Sequence, residues 1–267
     1  MKQFFRNKWN YPILLVLLIG LGVFFYPYIS NMLAARNHSK AIYNYSVTAE
    51  QMTAAQKEEY YREAELYNES LTGLVVGDPF GETEGVSDWY LSILDINGMI
   101  GYIEIPSIEV YLPIYHTTGK EVLERGVGHL ESTSFPIGGA GNHSVLTAHR
   151  GLPASRLFTD LNLLEDGDYF FIHILGDVYS YRVDRILVTE PDQTQDLMPV
   201  RDKDYVTLIT CTPYAINSHR LLVRGERTYE EPEEIAAKQK NHTPVWILAV
   251  LMSFGIIVFL LKKRKVR

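Results

Sequence analysis

The chain has 267 residues, 46% of them hydrophobic, with 25 Lys and Arg against 32 Asp and Glu and a single cysteine. That length supports one sizeable core, and the composition is neither disordered nor collagen-like. One cysteine excludes an internal disulfide and a Cys-rich zinc site, and a formal charge of −7 argues against a nucleic-acid binder, which would carry a basic face.

The charge is sharply segregated. Residues 1–29 and 245–267 contain no Asp or Glu, while Lys2, Arg6 and Lys8 sit at one end and Lys262, Lys263, Arg264, Lys265 and Arg267 at the other. Between positions 30 and 244 the remaining 17 basic residues meet all 32 acidic ones, a body of net −15. Tyr11 to Ile29 is free of charge, about the length a helix needs to cross roughly 30 Å of hydrocarbon. Val245 to Leu261 is a second such run, at the short end of the range. Basic residues lie on the terminal side of both, so the positive-inside bias predicts cytoplasmic termini and an outward body. A cleaved signal peptide is the alternative for the first run: basic start, apolar Ile13 to Phe25, then small Ala34 and Ala35, although Leu33 suits cleavage poorly. Either way the body is exported. A lone thiol in an oxidising compartment is either buried packing or chemistry.

Residues 34–72, rich in Ala, Glu, Lys, Gln and Tyr without Pro or Gly, predict helix with a weak apolar stripe that includes Ala54, Tyr61 and Ala64. The punctuated stretch Gly73 to Gly85, with Gly77-Asp78-Pro79-Phe80-Gly81 inside it, predicts a surface loop. From Ile100 onward, β-branched and aromatic runs predict strands at about 99–105, 108–114, 143–149, 168–175, 178–189, 204–211 and 219–229. Gly176-Asp177 reads as a two-residue hairpin turn. Thr118 and Glu121 suggest a capping box opening a short helix, and Leu157 to Leu164 a helical turn or two. Seven or eight short strands with only small helices between them favour a closed or nearly closed β-barrel. The acidic run Glu230 to Glu234 reads as a linker to the second apolar segment.

Cys211 ends the run Tyr205 to Cys211 and is followed by Thr212-Pro213, so the thiol belongs at a strand end. A free cysteine often only packs, and a nucleophile needs a thiolate, hence a cation or base nearby. Of the eight histidines, at 38, 116, 129, 143, 149, 173, 219 and 242, His149 ends a separate strand-like run and is the candidate partner. His143 and His173 read as ordinary barrel-surface residues. In His219 to Arg224, period-two alternation puts Arg220, Leu222 and Arg224 on one face. A strand returning antiparallel from the Cys211 turn would bring that face to the thiol, where a guanidinium offers five fixed donors for an oxyanion. Arg224 reads as a solvated edge charge.

These residues carry a resemblance. Thr207-Leu208-Ile209-Thr210-Cys211, the strand with His149 and the following Arg-Gly-Leu-Pro, and Arg220 nine residues after the cysteine are similar, in order, to three motifs of the sortases, cysteine transpeptidases of Gram-positive cell surfaces. Asp78-Pro79-Phe80, the preceding helical segment and the second apolar run resemble the class C, pilin-polymerising members. The resemblance implies a mainly β fold, a sortase-type closed barrel of about eight strands with short helices, flanked by two transmembrane helices. The implied divisions are a basic end and anchor (1–30), a helical segment (31–72), a lid loop (73–90), the catalytic barrel (91–230), an acidic linker (231–244) and a second membrane segment with basic tail (245–267). Cys211 would attack the Thr-Gly carbonyl of an LPxTG-type signal, Arg220 would hold substrate and oxyanion, and His149 would move the protons. Asp78 would pair with Arg220 and Phe80 would cover Cys211, with Pro79 between them. The implied partners are pilin subunits carrying that signal and the membrane, with no nucleic acid; the scheme needs no metal or organic cofactor. Alternatives are a housekeeping-type sortase attaching proteins to cell-wall precursor, a hydrolytic cysteine peptidase, and a non-enzymatic wall-anchored protein. No LPxTG-like pentapeptide precedes Val245, which weakens the last.

Overall fold

Short runs of β-branched and aromatic residues, punctuated by turns that take positive φ, pair into eight strands. The structure is a computed structural model that describes residues 10–71, 77–81, 85–230 and 232–235. The strands are β1 (Gly101–Ile105), β2 (Val110–His116), β3 (Val127–His129), β4 (His143–Thr147), β5 (Tyr169–Ile174), β6 (Asp177–Thr189), β7 (Tyr205–Thr212) and β8 (His219–Thr228). They close in the order β1-β2-β3-β4-β7-β8-β6-β5. The pairs β2/β3 and β4/β7 are parallel and the rest antiparallel. The expected barrel is the observed one, and closure removes the unpaired edges of an open sheet. The β5–β6 turn lies one residue earlier than the sequence suggests. Ile174 pairs with Asp177, and Leu175 and Gly176 take φ of +53° and +95° between them.

Alternation sorts side chains to two faces. Val206, Leu208, Leu221 and Val223 join Ile103 and Ile172 in the barrel core. Ile209 and Leu222 join Val145, Leu130 and Leu197 in a smaller apolar cluster, which floors the outer face near Cys211. Gly225 of β8 is required by close approach: a Cβ there would lie 2.5 Å from the Phe170 ring.

The helix expected over 34–72 is two helices, α1 (Asn10–Gln51) and α2 (Ala54–Ser70). They break at Met52-Thr53, where Thr53 Oγ1 accepts from Gln56 N at 3.3 Å and Gln56 Oε1 accepts from Thr53 N at 2.9 Å, a complete capping box. Ile42, Tyr45 and Ala49 of α1 are buried against the barrel. The Tyr45 hydroxyl donates to Ile100 O and accepts from Leu175 N, both at 2.9 Å. Residues 15–29 of α1 are exposed, and the helix is long and apolar enough to cross a membrane. The second apolar run, 245–261, lies outside the described residues. Residues from Tyr229 onward form a separate unit, of which 232–235 are helical.

Two short elements follow, α3 (Asp88–Ser92) and α4 (Lys120–Leu123). The capping box expected at Thr118 does not form: Gly119 is the N-cap of α4, without a side-chain cap, and Thr118 is buried. Leu157 to Leu164 holds only a 3-10 turn at Leu161–Leu163.

His143 is not a surface residue. It is 2% exposed, with Nδ1 donating to Met198 O at 3.1 Å and Nε2 accepting from Thr207 Oγ1 at 2.7 Å. His173 stacks on Tyr102 at 4.2 Å. Burial pulls the pKa of His143 down to about 4, of His173 to about 4 and of His129 to about 3. In the unfolded chain a histidine titrates near 6.5. The unfolded state therefore takes up protons first, and stability present above pH 6.5 is lost as pH falls toward 4. Buried Asp204, raised to about 6, works in the opposite sense but offsets only one group of three. The thermal midpoint should thus fall between pH 7 and pH 4.5, and His143→Gln should flatten that slope. Calorimetry at several pH values checks it; a parent slope that the substitution leaves unchanged would exclude His143 as a contributor.

Candidate active site

Strand register brings the candidates together. Cys211 and Arg220 are direct Cα partners across β7 and β8. β4 runs parallel to β7 with Thr147 opposite Ile209. Ala148 N donates to Ile209 O at 3.2 Å and Thr210 Oγ1 donates to Ala148 O at 2.8 Å, which carries the alignment past the end of β4. His149 therefore leaves its strand level with Cys211. Sulfur, imidazole and guanidinium share one end of three adjacent strands. Pro213 has no N–H to extend the ladder, so β7 ends at Thr212.

Arg220 is 9% exposed and Cys211 8%. The guanidinium grips one carboxylate through two donors, Nε to Asp78 Oδ1 at 2.9 Å and Nη2 to Asp78 Oδ2 at 2.8 Å. Nη1 donates to Asn217 O and His219 O, both at 3.2 Å. Asp78 belongs to a tight turn in which Gly81 N donates to Asp78 O at 2.9 Å, with Pro79 buried. The Phe80 ring lies 5.0 Å from the Arg220 guanidinium and 5.7 Å from the His149 ring. It packs on the outer cluster of Leu130, Val145, Leu197, Ile209 and Leu222. Asp78 thus lies against Arg220, and Phe80 against Arg220 and His149.

Arg224 shares the face of Arg220 but is not the solvated charge expected. It binds Asp184 through Nε at 3.0 Å and Nη2 at 2.6 Å, and it stacks over Tyr205 at 4.1 Å. Its partner lies 40 residues away, where no local pattern points.

The electrostatics describe a resting pair. Burial pushes the Cys211 thiol up; Arg220 opposes this and Asp78 adds to it. Burial pulls His149 down, opposed by Glu124. The Asp78 carboxylate raises Arg220 further while cancelling the charge that would favour a thiolate. Burial holds the imidazole toward its neutral form, and burial together with Asp78 holds the sulfur toward its own.

One residue that the sequence reading passed over is Arg150. Its fork donates to Thr159 O at 3.2 Å, Thr212 Oγ1 at 3.0 Å and Asn162 Oδ1 at 2.6 Å. It ties the residue after His149 to the residue after Cys211. Gly151 follows at φ +80°, and a Cβ there would meet the Tyr214 ring at 2.8 Å. The only sequence signal was an arginine next to the candidate histidine, followed by glycine.

A sortase domain model matches residues 103–228. Sortase C-1 of Streptococcus pneumoniae is 44% identical over 72% of this chain and 100% of that one, with a TM-score of 0.69. Sortase C-1 of Actinomyces oris is 46% identical over 65% and 99%, with a TM-score of 0.63. Sortase A of Bacillus anthracis is 30% identical over 50% of this chain and 61% of its own length. Sortase SrtE1 of Streptomyces coelicolor is 33% identical over 49% and 40%. The chain thus spans less than two thirds of these two relatives, and all of the pneumococcal structure. A closed eight-stranded barrel with this match places the chain in the sortase family.

Two expectations follow. Asp78→Asn removes a charge that raises the thiol, so the pH dependence of Cys211 alkylation should move to lower pH, each unit being worth about tenfold in thiolate; an unmoved curve would exclude Asp78 as a control on the sulfur. Arg150→Ala and Thr212→Val, in a double-mutant cycle of denaturant unfolding, should couple by about 1 kcal/mol. Strict additivity would mean that the observed bond contributes nothing.

Proposed function

We propose that this protein is a membrane-anchored class C sortase, a cysteine transpeptidase that joins pilin subunits through their LPxTG-type signals. The observation that carries the reading is the convergence of Cys211, His149 and Arg220 at one end of β4, β7 and β8, beside the outer apolar cluster. Support for class C comes from the resemblance to sortase C structures and from Asp78-Pro79-Phe80 bound in the site. Streptococcus pneumoniae sortase C, 43% identical, is described for its pilin substrate specificity.

In this reading the segment carrying Asp78 and Phe80 is a lid. Its carboxylate occupies the arginine fork that would otherwise bind substrate, and its ring covers an apolar cluster on which a substrate side chain could pack. When it leaves, Arg220 regains an unpaired charge beside the sulfur, the thiolate becomes easier to form, and the thiol proton passes to His149. The Cys211 thiolate attacks the Thr carbonyl carbon, and Arg220 N–H groups hold the oxyanion. As the C–N bond breaks, protonated His149 gives its proton to the leaving glycine amine, and a thioester remains. A lysine amine of the next pilin attacks the thioester, neutral His149 takes its proton, and the C–S bond breaks to regenerate the thiolate. The product is an isopeptide bond. α1 anchors the enzyme, with both termini in the cytoplasm and the catalytic body outside, as the distribution of basic residues favours.

The test is incubation of the purified protein with an LPxTG peptide. An acyl adduct on Cys211, released by hydroxylamine or a pilin lysine amine faster than by water, is expected. Cys211→Ala abolishes it, and His149→Ala slows transfer by roughly 10²-fold or more. Release mainly to water would favour a peptidase. Preference for a cell-wall precursor amine over a pilin lysine would favour the housekeeping class.

A further inference from the structure

α1 carries a ruler for its own depth. Its charge-free stretch continues from Tyr11 to Ala35, and Arg36 is the first charge beyond it. Every residue from 15 to 29 is exposed, and Ser30 and Asn31 are the first to be partly covered by the barrel. Tyr26 and Tyr28 are exposed, at 57% and 73%, just before that point. Tyrosines at the end of an apolar span mark the headgroup level of a bilayer. Ser30 lies two residues beyond Tyr28, about 3 Å along the axis at 1.5 Å per residue.

At that level the helix meets a specific loop. Ser30 Oγ donates to Ala154 O at 3.2 Å. Ala154 lies five residues beyond His149, on the segment that Arg150 ties to the end of β7. Pro153, Ala154 and Arg156 are exposed. Met32 and Leu33 are exposed at about the same height, at 49% and 50%, so the apolar surface of the helix extends alongside this loop. Arg36 on α1 and Arg156 on the loop, the latter paired with Asp160, are both exposed; arginine lays its apolar stem along apolar surface and keeps its charged head in the wet layer. A cleft of about 250 Å³ lined by Asn31, His38, Ser155 and Arg156 lies between the two elements.

We infer that the loop Leu152–Arg156 rests on the surface of the bilayer that α1 crosses, so that the partner of this face is the phospholipid headgroup layer. The inference rests on the reading of α1 as a membrane span. The proposed site then works at the membrane surface.

The test uses the full chain in phospholipid nanodiscs with Trp9, Trp89 and Trp246 replaced by Phe, and one new tryptophan at a time. Phe24→Trp reports on the span, Ala154→Trp on the loop, and Tyr43→Trp on a site 13 residues beyond Ser30, about 20 Å further along α1. Lipids brominated deep in the acyl chain should quench only Phe24→Trp. Lipids with a nitroxide on the headgroup should remove about half the emission of Ala154→Trp and leave Tyr43→Trp nearly untouched. If Phe24→Trp is quenched by the brominated lipid and Ala154→Trp is quenched no more by the nitroxide than Tyr43→Trp, α1 spans but the loop stands clear, and the inference fails alone. An unquenched Phe24→Trp overturns both the span and the inference.

Discussion

The site depends on strand register. In a barrel, slipping one strand by a single residue turns each of its side chains to the other face. Cys211 stands opposite Arg220 because β7 and β8 pair without interruption from Tyr205–Glu226 to Thr212–His219. His149 is level with Cys211 because β4 and β7 run parallel in step. Those pairings are in turn specified by burial. Val206, Leu208, Leu221 and Val223 can face the core only in this register, and the same choice sends Ile209, Leu222 and Arg220 outward. The apolar interior thereby positions polar groups that contribute nothing to it.

Arg220 illustrates how such a group is kept at rest. A guanidinium this covered is costly without partners, and the observed state supplies a carboxylate and two carbonyls. Removing Asp78 leaves part of that requirement open. Any anionic or carbonyl-bearing ligand that enters is bound partly because it restores what Asp78 provided. In the proposed reading, inhibition and substrate recognition would be one physical property read with two occupants.

Much of this was legible in the chain. Strands announce themselves through period-two patterns, and Pro213 places the thiol at a strand end. Other features were not local. β3 is three residues long, too short to show a period. The break between α1 and α2 did have a signal, Thr53 followed by Gln56, obscured by a long run of good helix formers. Thr118 and Glu121 had the same signal and no cap, because Gly119 occupies the cap and Thr118 is buried. His143 looked superficial since a histidine in a strand usually faces water, yet Thr207 and Met198 close over it from distant segments. Arg150 stood beside the candidate histidine in the chain, but its role depends on Thr159, Asn162 and Thr212, which only the fold gathers around it.

The helices flanking Asp78 have a consequence for the chemistry of competition. Asn68 of α2 exchanges two hydrogen bonds with the backbone of Phe135, and the Ser87 N–H before α3 donates to Glu131. Both ends of the intervening segment are therefore moored to one short stretch of the barrel. If the lid of the proposed reading opens, Asp78 would stay tethered and would revisit Arg220 at the effective concentration of a short tether, on the order of millimolar. A freely diffusing peptide would have to exceed that rival, whereas a subunit confined to the same membrane plane would carry a tether of its own. Selectivity for confined over dissolved substrates would then come from polymer statistics, with no discriminating contact required.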